Sequence, residues 1–125
     1  MKAFSAALWL LVGLVHLLPV TGVLGAASLQ RLYGLPITDP NLLILMQHRA
    51  VLFGLVGGVM VAAAFVPAWR SVAAVVGFIS IGSFLLIAWS VGGYNALIAR
   101  VVWIDVAALV LLILASLLAM RARSA

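Results

Sequence analysis

Four uninterrupted apolar runs, each about as long as the helix that a ~30 Å hydrocarbon layer requires, constrain this chain more than any other feature. They extend from Ala3 to Leu24, from Leu42 to Val66, from Val72 to Val91 and from Leu97 to Met120. Lipid offers no hydrogen-bond partner to the backbone, so a run of this length that does not close into a barrel must pair its N–H and C=O groups internally, as an α-helix. An all-α fold follows, an integral membrane four-helix bundle forming a single transmembrane domain over residues 1–125. Composition agrees: 68% of the residues are apolar and 7% charged, where a soluble domain has about a quarter charged. Once four spans are placed, little chain remains for a separate catalytic domain.

An even number of spans puts both termini on one side. That side carries Lys2, Arg70, Arg121 and Arg123, against Arg31 and Arg100 on the other, so the positive-inside rule predicts cytoplasmic termini. The first run also has the look of a secretory signal, with Lys2 before it and the small residues Gly25, Ala26 and Ala27 after it. It is long for a signal core, and it tethers the first loop, so it is read as a retained span. Trp9, Trp69, Trp89 and Trp103, with Tyr33 and Tyr94, lie mostly near span ends and are expected at the membrane interfaces.

The net charge of +5 is spread as single residues between apolar runs. Its expected partner is anionic membrane lipid and not nucleic acid. The absence of cysteine excludes disulfides, iron–sulfur clusters and thiol chemistry. The sequence has no glutamate, no HExxH, no GxSxG and no Walker loop, and no metal site is expected. Small four-helix multidrug exporters are built around a glutamate in the first span; here the polar residue of that span is His16.

Packing signals concentrate in the second span. Ala50, Gly54, Gly58 and Ala62 recur at four-residue spacing and make a stripe without bulk, including a GxxxG step. Such a stripe serves as an internal seam, as a homo-oligomer contact or as a contact with a larger membrane complex. Asp39, Pro40 and Asn41 read as a helix start, with aspartate as N-cap and proline in the first helical position. Pro19 interrupts the first span, where a kink and a freed Val15 carbonyl are expected.

Ionisable groups inside a bilayer are costly and mark functional sites by default. His16, His48, Arg49 and Asp105 qualify. At ~1.5 Å per residue all four fall at a similar depth, in the outer half of the membrane. Arg49 is the expected ion-pair partner of Asp105, the only carboxylate within a span. Gln47, His48 and Arg49 are consecutive and cover about 200° of a helix, so they cannot all face one pocket. The wheel puts Gln47 within the glycine stripe, His48 at its border and Arg49 nearly opposite, from where Arg49 would snorkel to headgroups. His16 shares a face with Ser5, Trp9, Gly13 and Val20. Two histidines at one depth also raise axial haem ligation, although nothing around them marks propionate binding. The expected ligand-binding set is therefore His16, Gln47, His48, Arg49 and Asp105, with Tyr33, Asp39, Tyr94, Asn95 and Arg100 of the outer loops as a polar lid.

Leu32, Tyr33 and Gly34, then Asp39, Pro40 and Asn41, then His48, Arg49 and Ala50 followed by Gly54 and Gly58, resemble the small bacterial four-helix membrane proteins of the DoxX-like family. The resemblance covers the whole chain in topology and is specific over about residues 29–58. It implies a multi-pass protein of the bacterial inner membrane. Because that family includes a subunit linked to quinone-dependent sulfur oxidation, it also implies a quinone or lipid site. Three functions stand open on the sequence. One is a binding or accessory protein whose outer-half pocket takes a small amphipathic molecule, a quinone or a lipid headgroup. The others are a structural subunit packing through the small-residue stripe, and a haem- or quinone-linked oxidoreductase component.

Overall fold

A computed structural model describes residues 1–124. Five α-helices account for nearly all of them: α1 (Lys2–Leu17), α2 (Ala26–Tyr33), α3 (Pro40–Phe65), α4 (Arg70–Val91) and α5 (Ala96–Ser124). A 3₁₀ segment, Leu18–Leu24, continues α1, and a short 3₁₀ turn, Pro67–Trp69, precedes α4. Four helical stretches, Lys2–Leu24, Pro40–Phe65, Pro67–Val91 and Ala96–Ser124, are long and apolar enough to cross a membrane. They match the four runs read from the sequence, each within a few residues.

The helices follow one another around the bundle in the order α1, α3, α4, α5, and α5 returns to α1. Lys2 and Arg123 line one cavity, so both termini lie at one end, called here the terminal end; the opposite end is the loop end. The core is built from the small and bulky residues of facing helices: Leu8, Trp9 and Val12 of α1, Met60, Ala63 and Ala64 of α3, Ala73 and Ile81 of α4, and Ala108, Leu112 and Ala115 of α5. In lipid the gain from burying these groups is tight van der Waals contact, because the surroundings are as apolar as the core.

The closest approach is between α1 and α3, at Gly13 and Gly57. A Cβ on Gly57 would stand 2.9 Å from the Gly13 carbonyl oxygen and 2.8 Å from Leu17 Cδ2, and one on Gly13 would stand 3.1 Å from the Gly57 oxygen. The expected stripe is therefore split. Ala50 is buried beside Gly22, and Gly54 faces Val20, both in the 3₁₀ segment. Gly58 faces outward with nothing within 4 Å of a Cβ built on it, and Ala62 is half-buried. The seam runs one residue away from the GxxxG step because α1 crosses α3 on the Gly57 face.

Three local features differ from the sequence reading. The connection between the first two spans contains the eight-residue helix α2, too short and polar to register as a span. Gly34 ends it in the left-handed conformation (φ 70°), with its N–H donating to the Gln30 oxygen. Pro19 does remove an N–H, but the Val15 carbonyl is not left spare: the chain tightens and the Leu18 N–H takes it. Trp9 is fully buried inside the bundle and Tyr33 is buried as well, so neither presents its ring to the surroundings; Trp69, Trp89 and Trp103 are exposed. The Asp39-Pro40-Asn41 helix start forms as read, with Asp39 Oδ1 accepting from the Asn41 backbone N–H at 2.8 Å.

Candidate functional site

At the loop end, α2 packs on the 3₁₀ segment and against α5; its Leu29 and Tyr33, with Ile37 of the loop that follows, cluster with Leu43, Met46, Ile98 and Val101. Asn95 fixes this arrangement. Its Oδ1 caps α5 by accepting from the Ile98 N–H at 2.9 Å, while its Nδ2 donates to the Tyr33 carbonyl at 2.8 Å. Beneath α2 is a cavity of about 390 Å³, bounded by the end of α1 and by α3 and α5. His16, Tyr33, Arg49, Arg100 and Asp105 supply its polar groups, and Val15, Leu32, Phe53, Val101 and Ile104 much of its apolar wall. Its size lies in the usual range for small-molecule sites, and the mix of an apolar wall with a few convergent polar groups is typical of them.

Arg49 does not reach outward to headgroups: it lines this cavity and also a second one between α3 and α4. The helical wheel set it opposite the glycine stripe, and there it meets Tyr33 of α2 and Phe84 of α4. Arg49 Nη1 donates to Tyr33 Oη at 3.0 Å. The guanidinium lies over the rings of Phe53 at 4.7 Å, Tyr33 at 5.3 Å and Phe84 at 5.9 Å. Stacking of this kind holds the half-buried charge against the faces of aromatic rings. Because Tyr33 Oη accepts from Arg49, its own proton remains available to a ligand.

His16 is 3% exposed. Its Nδ1 is 2.9 Å from the Val12 carbonyl of the preceding turn. A carbonyl only accepts, so Nδ1 carries the proton and the neutral ring keeps an acceptor lone pair at Nε2. Asp105 lines the same cavity, but the predicted ion pair with Arg49 does not form: among the described residues no basic nitrogen lies within 4.0 Å of a carboxylate oxygen. Donors from Tyr33 and Arg49 and acceptors from His16 and Asp105 thus share one space without consuming one another.

Gln47 and His48 lie outside it. Gln47 Nε2 donates to the Val23 carbonyl at 2.8 Å, tying α3 to the 3₁₀ segment. His48 is exposed on the next face, so the two histidines do not address one ligand and the axial haem geometry is not assembled. Of the expected lid residues, Tyr33 and Arg100 line the cavity; Asp39 and Asn95 serve as helix caps, and Tyr94 is an exposed residue of the turn before α5. The sequence reading missed Phe53 and Phe84, which no spacing singles out among apolar neighbours. No family model, curated protein or solved structure matches the chain.

Proposed function

We propose that this chain is a multi-pass binding or accessory protein of the bacterial inner membrane, with cytoplasmic termini, whose loop-end cavity takes the head of a quinone-class molecule while the tail lies in the bilayer. The observation that carries this reading is the arrangement of Tyr33, Arg49, His16 and Asp105 around one cavity. A quinone ring carries two carbonyl acceptors, which become hydroxyl donors on reduction. Tyr33 and Arg49 offer donors to the first form, and His16 Nε2 and the Asp105 carboxylate offer acceptors to the second. Phe53 supplies an aromatic wall against which a ring stacks. Positive charge at the terminal end supports the orientation.

One observation favours a second occupant. Asp105 and the cations Arg49 and Arg100 line one cavity without pairing, which suits a zwitterionic lipid headgroup with its amine at Asp105 and its phosphate at the arginines. Equilibrium binding of a short-chain benzoquinone and of phosphatidylethanolamine to the full chain in nanodiscs separates the two. The quinone reading predicts saturable quinone binding that weakens in Tyr33→Phe and Arg49→Met. Quinone partitioning that is indifferent to both substitutions contradicts it, and saturable lipid binding in its place selects the headgroup.

A further inference from the structure

The terminal end carries positive charge that no acidic side chain balances. A groove of about 450 Å³ runs between α4 and α5, with α1 as its floor. Val75, Ile113, Leu117 and Met120 along it are all exposed, so the groove opens on the face that meets lipid tails. At its mouth stand Arg70 and Arg123, which also line, together with Lys2, an adjoining space of about 570 Å³.

These cations have neutral partners. Arg70 Nε donates to the Ala63 carbonyl at 3.2 Å, and Arg123 Nη2 donates to Ser71 Oγ at 2.9 Å. Both contacts orient a guanidinium without neutralising it. The chain's two carboxylate side chains, Asp39 and Asp105, belong to the loop end, so no acidic side chain is available here. Trp9 forms part of the groove's floor and is 0% exposed, so its indole N–H lies beneath the groove surface and is covered by neighbouring side chains.

We infer that this groove is a binding site for an anionic phospholipid of the leaflet at the terminal end. The phosphate sits between Arg70 and Arg123, and an acyl chain lies along Val75, Phe78, Ile113 and Leu117. The two ends of such a lipid then have counterparts: fixed cations for the phosphate and an exposed apolar channel for the chain. The site is separate from the loop-end cavity and does not depend on its occupant.

Native mass spectrometry of the full chain tests this with phosphatidylglycerol, phosphatidylcholine and inorganic phosphate as probes. The wild type is expected to retain phosphatidylglycerol over phosphatidylcholine. The double variant Arg70→Gln/Arg123→Gln, altered only at the bundle's end, should lose that preference by about 30-fold, at roughly fivefold per cation near a membrane surface. Arg31→Gln, at the opposite end, should keep it. Inorganic phosphate should not bind. Equal retention of both lipids, or an undiminished preference in the double variant, overturns the proposal. Phosphate bound as tightly as the lipid makes the cations a soluble-anion site and overturns it too.

Discussion

Gly57 and Gly58 are adjacent in one helix and predict opposite responses to the same change. In Gly57→Ala the new methyl falls 2.8 Å from Leu17 Cδ2 and 2.9 Å from the Gly13 carbonyl oxygen. Carbon atoms settle at ~3.5–4.0 Å, so α1 must withdraw from α3 by several tenths of an ångström at its tightest crossing, and Leu17 alone cannot absorb the change because one contact is backbone. Overpacking of this kind costs ~1–3 kcal/mol. In Gly58→Ala the methyl meets nothing within 4 Å. Replacing glycine by alanine in a helix favours the helix by up to ~1 kcal/mol at either position, so the difference between the two variants isolates the clash. It corresponds to about 5- to 150-fold in the unfolding constant. Reversible unfolding in bicelles, measured by steric trapping with the oligomeric state checked beside it, reads that difference. Equal stability of the two variants refutes the Gly13–Gly57 seam. A Gly58→Ala variant that changes oligomeric state would instead make the Ala50–Ala62 stripe an interface between chains.

Asn95→Ala removes both the α5 cap and the tie to Tyr33. It should cost ~1–2 kcal/mol, and hydrogen exchange should show α2 opening more often. Gln47→Leu leaves the Val23 carbonyl without its donor and should destabilise by ~1 kcal/mol. Its neighbour His48→Ala should stay within ~0.5 kcal/mol of wild type, because His48 is exposed and forms no described contact; thermal unfolding in detergent compares the two.

How far the sequence reaches is clearest from particular residues. The four spans were legible because the bilayer sets their length and forces the helix. Asp39-Pro40-Asn41 was legible because capping is local chemistry. The His16 face was legible because Ser5, Trp9, Gly13 and His16 do form the buried side of α1. Arg49 was not. Its direction depends on Tyr33 of α2, an eight-residue helix held in place by Asn95, 62 residues away from Tyr33, and no helical wheel contains that contact. The same holds for Gly57: the stripe at Gly54 and Gly58 is visible in one helix, but which glycine meets α1 depends on where Gly13 crosses. Equal depth brought His16, His48, Arg49 and Asp105 together on paper; rotation about α3 then separated His48 from the rest.

The most direct test of a loop-end site is the content of that site in protein gently solubilised from its own membrane. Organic extraction and quinone analysis would be run on the wild type and on Arg49→Met, a change that removes the cavity's charged donor and keeps an unbranched apolar side chain. The account predicts quinone at a fixed ratio to the wild-type chain and at least tenfold less with Arg49→Met, since a hydrogen bond to a charged group contributes ~1.5–3 kcal/mol. Wild-type protein free of quinone, or quinone retained equally by the variant, contradicts it.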